Sequence, residues 1–369
     1  MAADDRVLIT AIVLARLALP LLIPRIPLMI LVALVLDAVD GSLLAHLSSV
    51  DVGPDGPYQS FDKALDIYYL AIAYLAAMRN WTSTPAFRIA RFLFYYRLVG
   101  VVAFELLDSR AMLLLFPNTF EFFFIAYEGL RTRWEPERWS GRFWLYVAGG
   151  IWVFIKLPQE YWIHVAQLDF TDAVADHPWF GVLCLLGLGV LAWLVWFVVR
   201  PRMPEPRAGW RFEAPPVPPT QAADASWSAL AEKSVLLTLL AVIVAEILPS
   251  VHLSALDIAL GVVALVAANL AIASWRGPGV HFALLLAINF LLIYAGSRAL
   301  SDRGNLPAAT GLFFAYLTTL IVVLYDTYRP IRASRDRRTD RPGAPTPSHP
   351  GSGPSANGSG ERGRPRPAP

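Results

Sequence analysis

The chain has 369 residues, of which 56% are hydrophobic and 16% charged, with a mean hydropathy of +0.49 and a formal charge of +2. Soluble domains carry about a quarter charged residues, and a soluble chain of this length lacks the interior to hide so much apolar surface. A soluble enzyme, a nucleic-acid-binding module and a disulfide scaffold are therefore excluded, the last because Cys184 is the single cysteine.

A bilayer core takes about 20 apolar helical residues to cross. Runs of that kind predict spans near 7–23, 27–47, 61–78, 86–107, 141–157, 179–200, 232–249, 253–274, 279–297 and 308–328. The first run carries Arg16 and passes into the second without a small-residue cleavage site, so it is expected to stay in the mature protein. The run 111–130 is interrupted by Pro117, Asn118 and Glu121. Unpaired polar groups are costly in lipid, so it is expected to be a re-entrant or broken helix instead of a full crossing. Residues 201–228 include Pro215-Pro216-Val217-Pro218-Pro219 and read as a cytoplasmic linker of polyproline character. After residue 330 Arg, Pro, Gly and Ser dominate, and such a segment buries too little surface to offset ordering entropy. The expected fold is all-α. It is a polytopic transmembrane helical bundle of about 10–11 spans, with a first membrane domain over 1–200, a second over 229–330 and a disordered tail over 331–369.

Lys and Arg in short loops set orientation. The basic loops 131–142 and 200–211 and the tail from Arg329 to Arg341 are expected in the cytoplasm, with the protein integral to the plasma membrane. A cytoplasmic N-terminus with ten spans satisfies this but sends Arg79 and Arg88 to the outside. The second half holds few intramembrane charges and reads as structural or oligomer-forming helices, a homodimer among the options.

The most informative stretch is Leu36-Asp37-Ala38-Val39-Asp40-Gly41 followed by Phe61-Asp62-Lys63-Ala64-Leu65-Asp66. Asp37 and Asp40 are three apart and Asp62 and Asp66 four apart, so each pair shares a helix face. If the second and third spans form a hairpin, four carboxylates surround one point. They repel unless a cation is present, and hard oxygen ligands suit Mg²⁺, Mn²⁺ or Ca²⁺. Gly41 removes a side chain where a ligand can approach the backbone. The plainer alternative is interfacial charge, with Lys63 as partner.

These residues resemble the CDP-alcohol phosphatidyltransferases, which carry D-x-x-D-G-x-x-A-R, a spacer, then G-x-x-x-D-x-x-x-D. Asp37, Asp40, Gly41, Asp62 and Asp66 fall on that pattern, and Ile9-Thr10, Arg16 and Pro20 fit the family's first helix. The likeness covers roughly residues 6–105. Tyr58 stands at the second Gly position, and Leu44-Ala45-His46 replaces Ala-Arg, which puts nucleotide recognition in question more than metal binding. The resemblance implies two divalent ions, Mg²⁺ or Mn²⁺, held by Asp37, Asp40, Asp62 and Asp66, with Asp66 as general base. It implies transfer of a phosphatidyl or related group from a CDP-activated lipid to an alcohol with release of CMP. Arginine suits phosphate, so Arg88 and Arg91 are candidate contacts for a phosphorylated acceptor, with snorkelling to the interface as the alternative. Arg97, deeper in the span, is expected to pair with Glu105 or Glu121. Glu160, His164, Asp169, Asp172 and His177 fit an interfacial helix better than a second metal site. The rival functions are a family member that keeps only a metal or headgroup site, and a membrane scaffold or transporter component.

Overall fold

Long apolar runs without period-two alternation fold as helices. The computed structural model describes residues 3–47, 57–107, 109, 111–162, 176–215, 226–247, 255–276, 282–300 and 307–339. Among them every regular element is helical. In chain order these are α1 (Ala3–Ala18), α2 (Met29–Leu47), α3 (Pro57–Asn80), α4 (Thr84–Leu107), α5 (Ala111–Leu115), α6 (Thr119–Arg131), α7 (Gly141–Ile151), α8 (Leu157–Glu160), α9 (Pro178–Leu194), α10 (Trp227–Ile247), α11 (Ala255–Arg276), α12 (Phe282–Leu300) and α13 (Ala308–Thr339). Short 3₁₀ and π turns extend several of these, including a π stretch from Trp152 to Lys156 that links α7 to α8.

From Ile67 to Met78 the sequence of α3 is apolar all round, as a central helix requires. Every side chain from Ile67 to Asn80 is buried. It packs against α1, α2, α4, α6, α10 and α13. Residues of the first 151 positions and of 229–331 belong to one hydrophobic core, so the two expected membrane segments share an interior.

Helix ends gather on one side of the bundle. Asn80 Nδ2 donates to Pro24 O at 3.1 Å, and Arg79 donates to the same carbonyl. Ala214 N donates to Arg25 O at 2.8 Å, Arg207 N to Arg133 O at 2.8 Å, and Arg211 N to Thr132 O at 3.0 Å. Trp134 Nε1 reaches Pro204 O at 2.8 Å, and Arg133 lies over the Trp210 ring, 4.7 Å from its centroid. Part of the proline-rich segment is therefore a strap docked across the loop after α6.

The end of α13 completes this basic end. The helix continues to Thr339, past the position where the sequence suggested a tail. Arg332 is fully buried. It donates to Trp81 O at 3.0 Å and Thr84 Oγ1 at 2.5 Å, pairs with Asp336, and stacks 4.4 Å from the Phe87 centroid. Arg335 donates to Arg79 O at 2.6 Å and Trp81 O at 3.1 Å. The carbonyls at the end of α3 are electronegative and lack intrahelical partners; two arginines of α13 supply them. These arginines do more than orient the chain, as the sequence alone suggested.

The run 111–131 is a broken helix, and it travels the length of the bundle. Its break exposes Leu115 and Phe116 carbonyls. Tyr96 Oη donates to the first at 2.8 Å and Arg97 Nη1 to the second at 3.1 Å. Side chains thus satisfy the backbone groups that Pro117 frees. Past the break, Tyr127 Oη accepts from Thr82 N at 3.3 Å and Trp81 Nε1 donates to Glu128 at 2.8 Å. Arg131 therefore ends at the basic end. Gly100 permits the corner, because a Cβ there would stand 2.0 Å from Phe116 Cβ.

Among the described residues two helices are long and apolar enough to cross a membrane: Trp227–Ala245, of hydropathy 1.9, and Thr310–Arg337, of hydropathy 1.5. Large apolar side chains stand exposed on other helices as well, among them Leu185 and Leu186 on α9, Leu256 on α11 and Leu291 on α12.

Candidate functional site

Asp37 and Asp66 meet. Arg16, on α1 and only 4% exposed, places one Nη nitrogen against both carboxylates. Its hydrogen bond to Asp66 Oδ1 is 2.6 Å, and it pairs with Asp37 Oδ1 from the same atom. The two aspartates come from α2 and α3, so one member of each acidic pair meets the other on Arg16.

The register follows from helix geometry. In an antiparallel hairpin with Asp37 opposite Asp66, Asp40 lies about 4.5 Å further along α2 and Asp62 about 6 Å back along α3, at 1.5 Å per residue. Both displacements run toward the α2–α3 connection, so positions 40 and 62 share the next level. Both residues are helical. The side chains of Asp40 and Asp62 and the surroundings of Gly41 lie outside the described residues. Among the described residues no three acidic, His or Cys side chains stand together as a metal site would need.

Arg16, Leu19, Pro20, Ala33, Leu36 and Tyr69 enclose a cavity of about 10 Å³, room for about one water. Tyr69 leads from it into a second polar group, donating to Glu121 Oε1 at 2.6 Å. Asn118 Nδ2 donates to Glu121 Oε2 at 2.9 Å, and Asn118 N to Glu160 Oε1 at 3.4 Å. Lys156 stands 3.6 Å from Glu160, both buried. A buried charge is tolerated when paired, and the break in the α5–α6 run is where these pairs collect.

Arg97 is the arginine at this site. It lies within electrostatic reach of Glu160, Asp66 and Glu121, but it donates to Phe116 O rather than to the expected carboxylate. Its Nε and Asn118 Oδ1 are buried without a hydrogen-bond partner. Such donors and acceptors are costly unless something meets them. Arg88 and Arg91 lie elsewhere: α4 carries Arg88 nine residues before Arg97, about 13 Å along the axis at 1.5 Å per residue. They line an outer groove instead. Of the more distal polar stretch, Glu160 turns inward and His177 is exposed, while His164, Asp169 and Asp172 lie outside the described residues.

The sequence also hid two polar groups that tie α10–α13 to the rest. Glu232 accepts from Tyr74 at 2.6 Å and Tyr325 at 3.1 Å, with Arg329 at 3.5 Å, while Lys233 pairs with Asp326 at 2.9 Å. Asn269 donates to Asn289 at 2.9 Å, and Asn289 to Thr319 at 2.9 Å, joining α11, α12 and α13. The second half thus has a polar interior that the sequence did not reveal. The signal was present as Asn and Thr inside apolar runs, residues that hydrogen-bond between helices in lipid.

Comparison with known proteins finds no matching family model, no matching curated sequence and no matching solved structure.

Proposed function

We propose that this chain is a polytopic helical membrane protein that transfers a phosphatidyl or related phospho-alcohol group from a CDP-activated lipid to an alcohol, releasing CMP. The observation that supports this reading is the meeting of Asp37 and Asp66 on one guanidinium, in the register a four-carboxylate site needs. Its membrane part is supported by the two apolar helices and by the exposed apolar side chains on the others. On this reading, with the broken α5–α6 run and the α7–α8 pair counted as one crossing each, the helices would make eleven crossings.

The residues present fit a divalent ion. Arg16 offsets one of four negative charges, and hard oxygen donors suit Mg²⁺ or Mn²⁺. Asp37, Asp40 and Asp62 would hold such ions, which when bound neutralise diphosphate charge. Asp66 would take the proton of the acceptor hydroxyl, since a neutral alcohol is a weak nucleophile. Arg16 would hold Asp37 and Asp66 apart from each other's charge before the ions arrive. Arg97, with an unmatched Nε and within electrostatic reach of Asp66 and Glu121, is the better-placed contact for a phosphate oxygen.

The test is an assay of purified protein with labelled CDP-diacylglycerol, Mg²⁺ or Mn²⁺, and a panel of alcohol acceptors. Turnover is expected, and Asp62→Asn and Asp66→Asn should each abolish it while the protein still inserts in the membrane. Unchanged turnover in either variant refutes the assignment.

One observation favours a second reading. Arg16 already neutralises part of the cluster from within the chain, which suits a family member without catalysis that keeps a metal or headgroup site, or a membrane scaffold. Mn²⁺ binding that depends on Asp37 and Asp62 without turnover identifies the former. Neither binding nor turnover identifies the scaffold.

A further inference from the structure

We propose that the outer face of α4 is a binding site for an anionic glycerophospholipid, separate from the acidic cluster. It rests on the membrane part of the reading above and is independent of the transferase part. Arg88, Arg91, Phe92, Tyr95, Tyr96 and Val99 line a groove of about 470 Å³. Their spacing of three, four and seven places them on one helix face. Two tyrosines mark its flanks: Tyr95 turns to Glu232 O on α10 at 3.4 Å, and Tyr96 to Leu115 O on α5 at 2.8 Å. The floor between them is open, with Phe92 58% and Val99 46% exposed.

Charge and length together select the occupant. Arg88 is exposed and Arg91 half-buried. Among the described residues neither is engaged in an ion pair or hydrogen bond. Asp336 is within electrostatic reach of Arg88, but its carboxylate is held by Arg332 and Thr84. Two guanidinium groups one turn apart therefore face outward at one end of an apolar channel, and guanidinium is the side chain that matches phosphate. Arg88 lies about one turn inside the start of α4 at Thr84, where the helix leaves the basic end. From Arg88 to Val99 is eleven residues, about 16 Å at 1.5 Å per residue. Half of a hydrocarbon core about 30 Å thick is about 15 Å. The groove thus has the length of one leaflet, with its positive charge at headgroup level and its aromatic and aliphatic part at acyl-chain level. A water-soluble phosphate would use the arginines and leave the rest of the groove without a role.

Native mass spectrometry of the full chain in detergent tests the site, with phosphatidylglycerol and phosphatidylcholine titrated separately. The wild type is expected to hold phosphatidylglycerol more tightly than R88Q/R91Q, by about fivefold for each arginine removed. Phosphatidylcholine should be held equally by both. Val99→Trp, which fills the far end of the groove and leaves both charges, should also weaken phosphatidylglycerol. Equal phosphatidylglycerol binding by wild type and R88Q/R91Q overturns the proposal, as does an equal loss of both lipids. Displacement of the lipid by glycerol 3-phosphate overturns it in favour of a soluble phosphate ligand. If the double variant does not melt cooperatively, R88Q, altered at an exposed side chain, is judged by the same criteria. Lipid retention by a protein inert toward CDP-diacylglycerol would separate this site from the transferase reading.

Discussion

At the residue scale, Arg16 decides how the acidic cluster behaves. The spacing of Asp37, Asp40, Asp62 and Asp66 was enough to predict shared faces and a hairpin, because helical periodicity is local. The partner was not legible. Arg16 is 21 residues from Asp37 and 50 from Asp66, and only packing of α1 against both helices brings it there. Breaking a buried ion pair by removing one partner costs about 3–5 kcal/mol, less when the carboxylates keep water contact. Asp37 and Asp66 are 23% and 36% exposed, so Arg16→Gln should cost about 2 kcal/mol of stability. The variant should melt lower, and Mn²⁺ should restore part of the loss by taking up the uncompensated carboxylates. Thermal melts with and without Mn²⁺ check both statements; a variant as stable as wild type, or one indifferent to the metal, contradicts the charge argument.

At the element scale, the helices themselves were readable from hydropathy, while their connections were not. Pro117 and Asn118 signalled the break in the 111–131 run, but whether the chain turned back or went on depended on who received the freed carbonyls. Tyr96 and Arg97 do, and the corner closes because Gly100 leaves room. Gly100→Val should push α4 from the corner and destabilise by about 1–3 kcal/mol, as overpacking does; melting against a Gly187→Val control, whose Cβ meets nothing within 4 Å, isolates the effect. The strap at 203–214 gives an element-scale pH effect. Glu135 accepts from Arg207 at 2.7 Å and Arg138 at 3.0 Å. Hydrogen bonds from Arg207, then those from Arg138, hold its carboxyl below the ordinary 4.5. A depressed carboxyl contributes fully above the unfolded value and loses its contribution as pH falls through the folded one. The strap should stay docked above pH 4.5 and loosen below it. Amide exchange at Arg207 and Arg211, whose N–H groups bond Arg133 and Thr132, should accelerate in that acid window and not on the neutral side.

At the scale of the whole molecule, the structure rearranges the charge map. Composition read Arg79 and Arg88 as exceptions to a cytoplasmic set of basic loops. Contacts place Arg79 beside Pro24 and Arg335, and α4 leaves that same end, so those two belong with the loops 131–142 and 200–211 and with the end of α13. The amino-acid sequence alone does not show this, because it depends on whether 111–131 crosses: one extra crossing reverses the side of everything before it. The basic end then lies on one side and the start of α3, with Asp37 and Asp66, lies toward the other. Here two arguments oppose each other. The rule that Lys and Arg loops stay in the cytoplasm turns the acidic cluster outward, whereas a nucleotide-activated donor requires that cluster to face the cytoplasm. Cysteine labelling in a Cys184→Ser background decides between them. Ser140→Cys and Arg337→Cys should react from one side of sealed vesicles and Ser60→Cys, in the first turn of α3, from the other; labelling of the first two from opposite sides would refute the shared basic end, and labelling of all three from one side would refute the opposite placement of the acidic cluster. If Ser60→Cys labels from the cytoplasm, the donor can reach Asp37 and Asp66, and the positive loops are outside against their usual bias. If Ser140→Cys does, the CDP-dependent reaction has no access to its substrate, and the cluster that Arg16 neutralises is left with a binding or structural role.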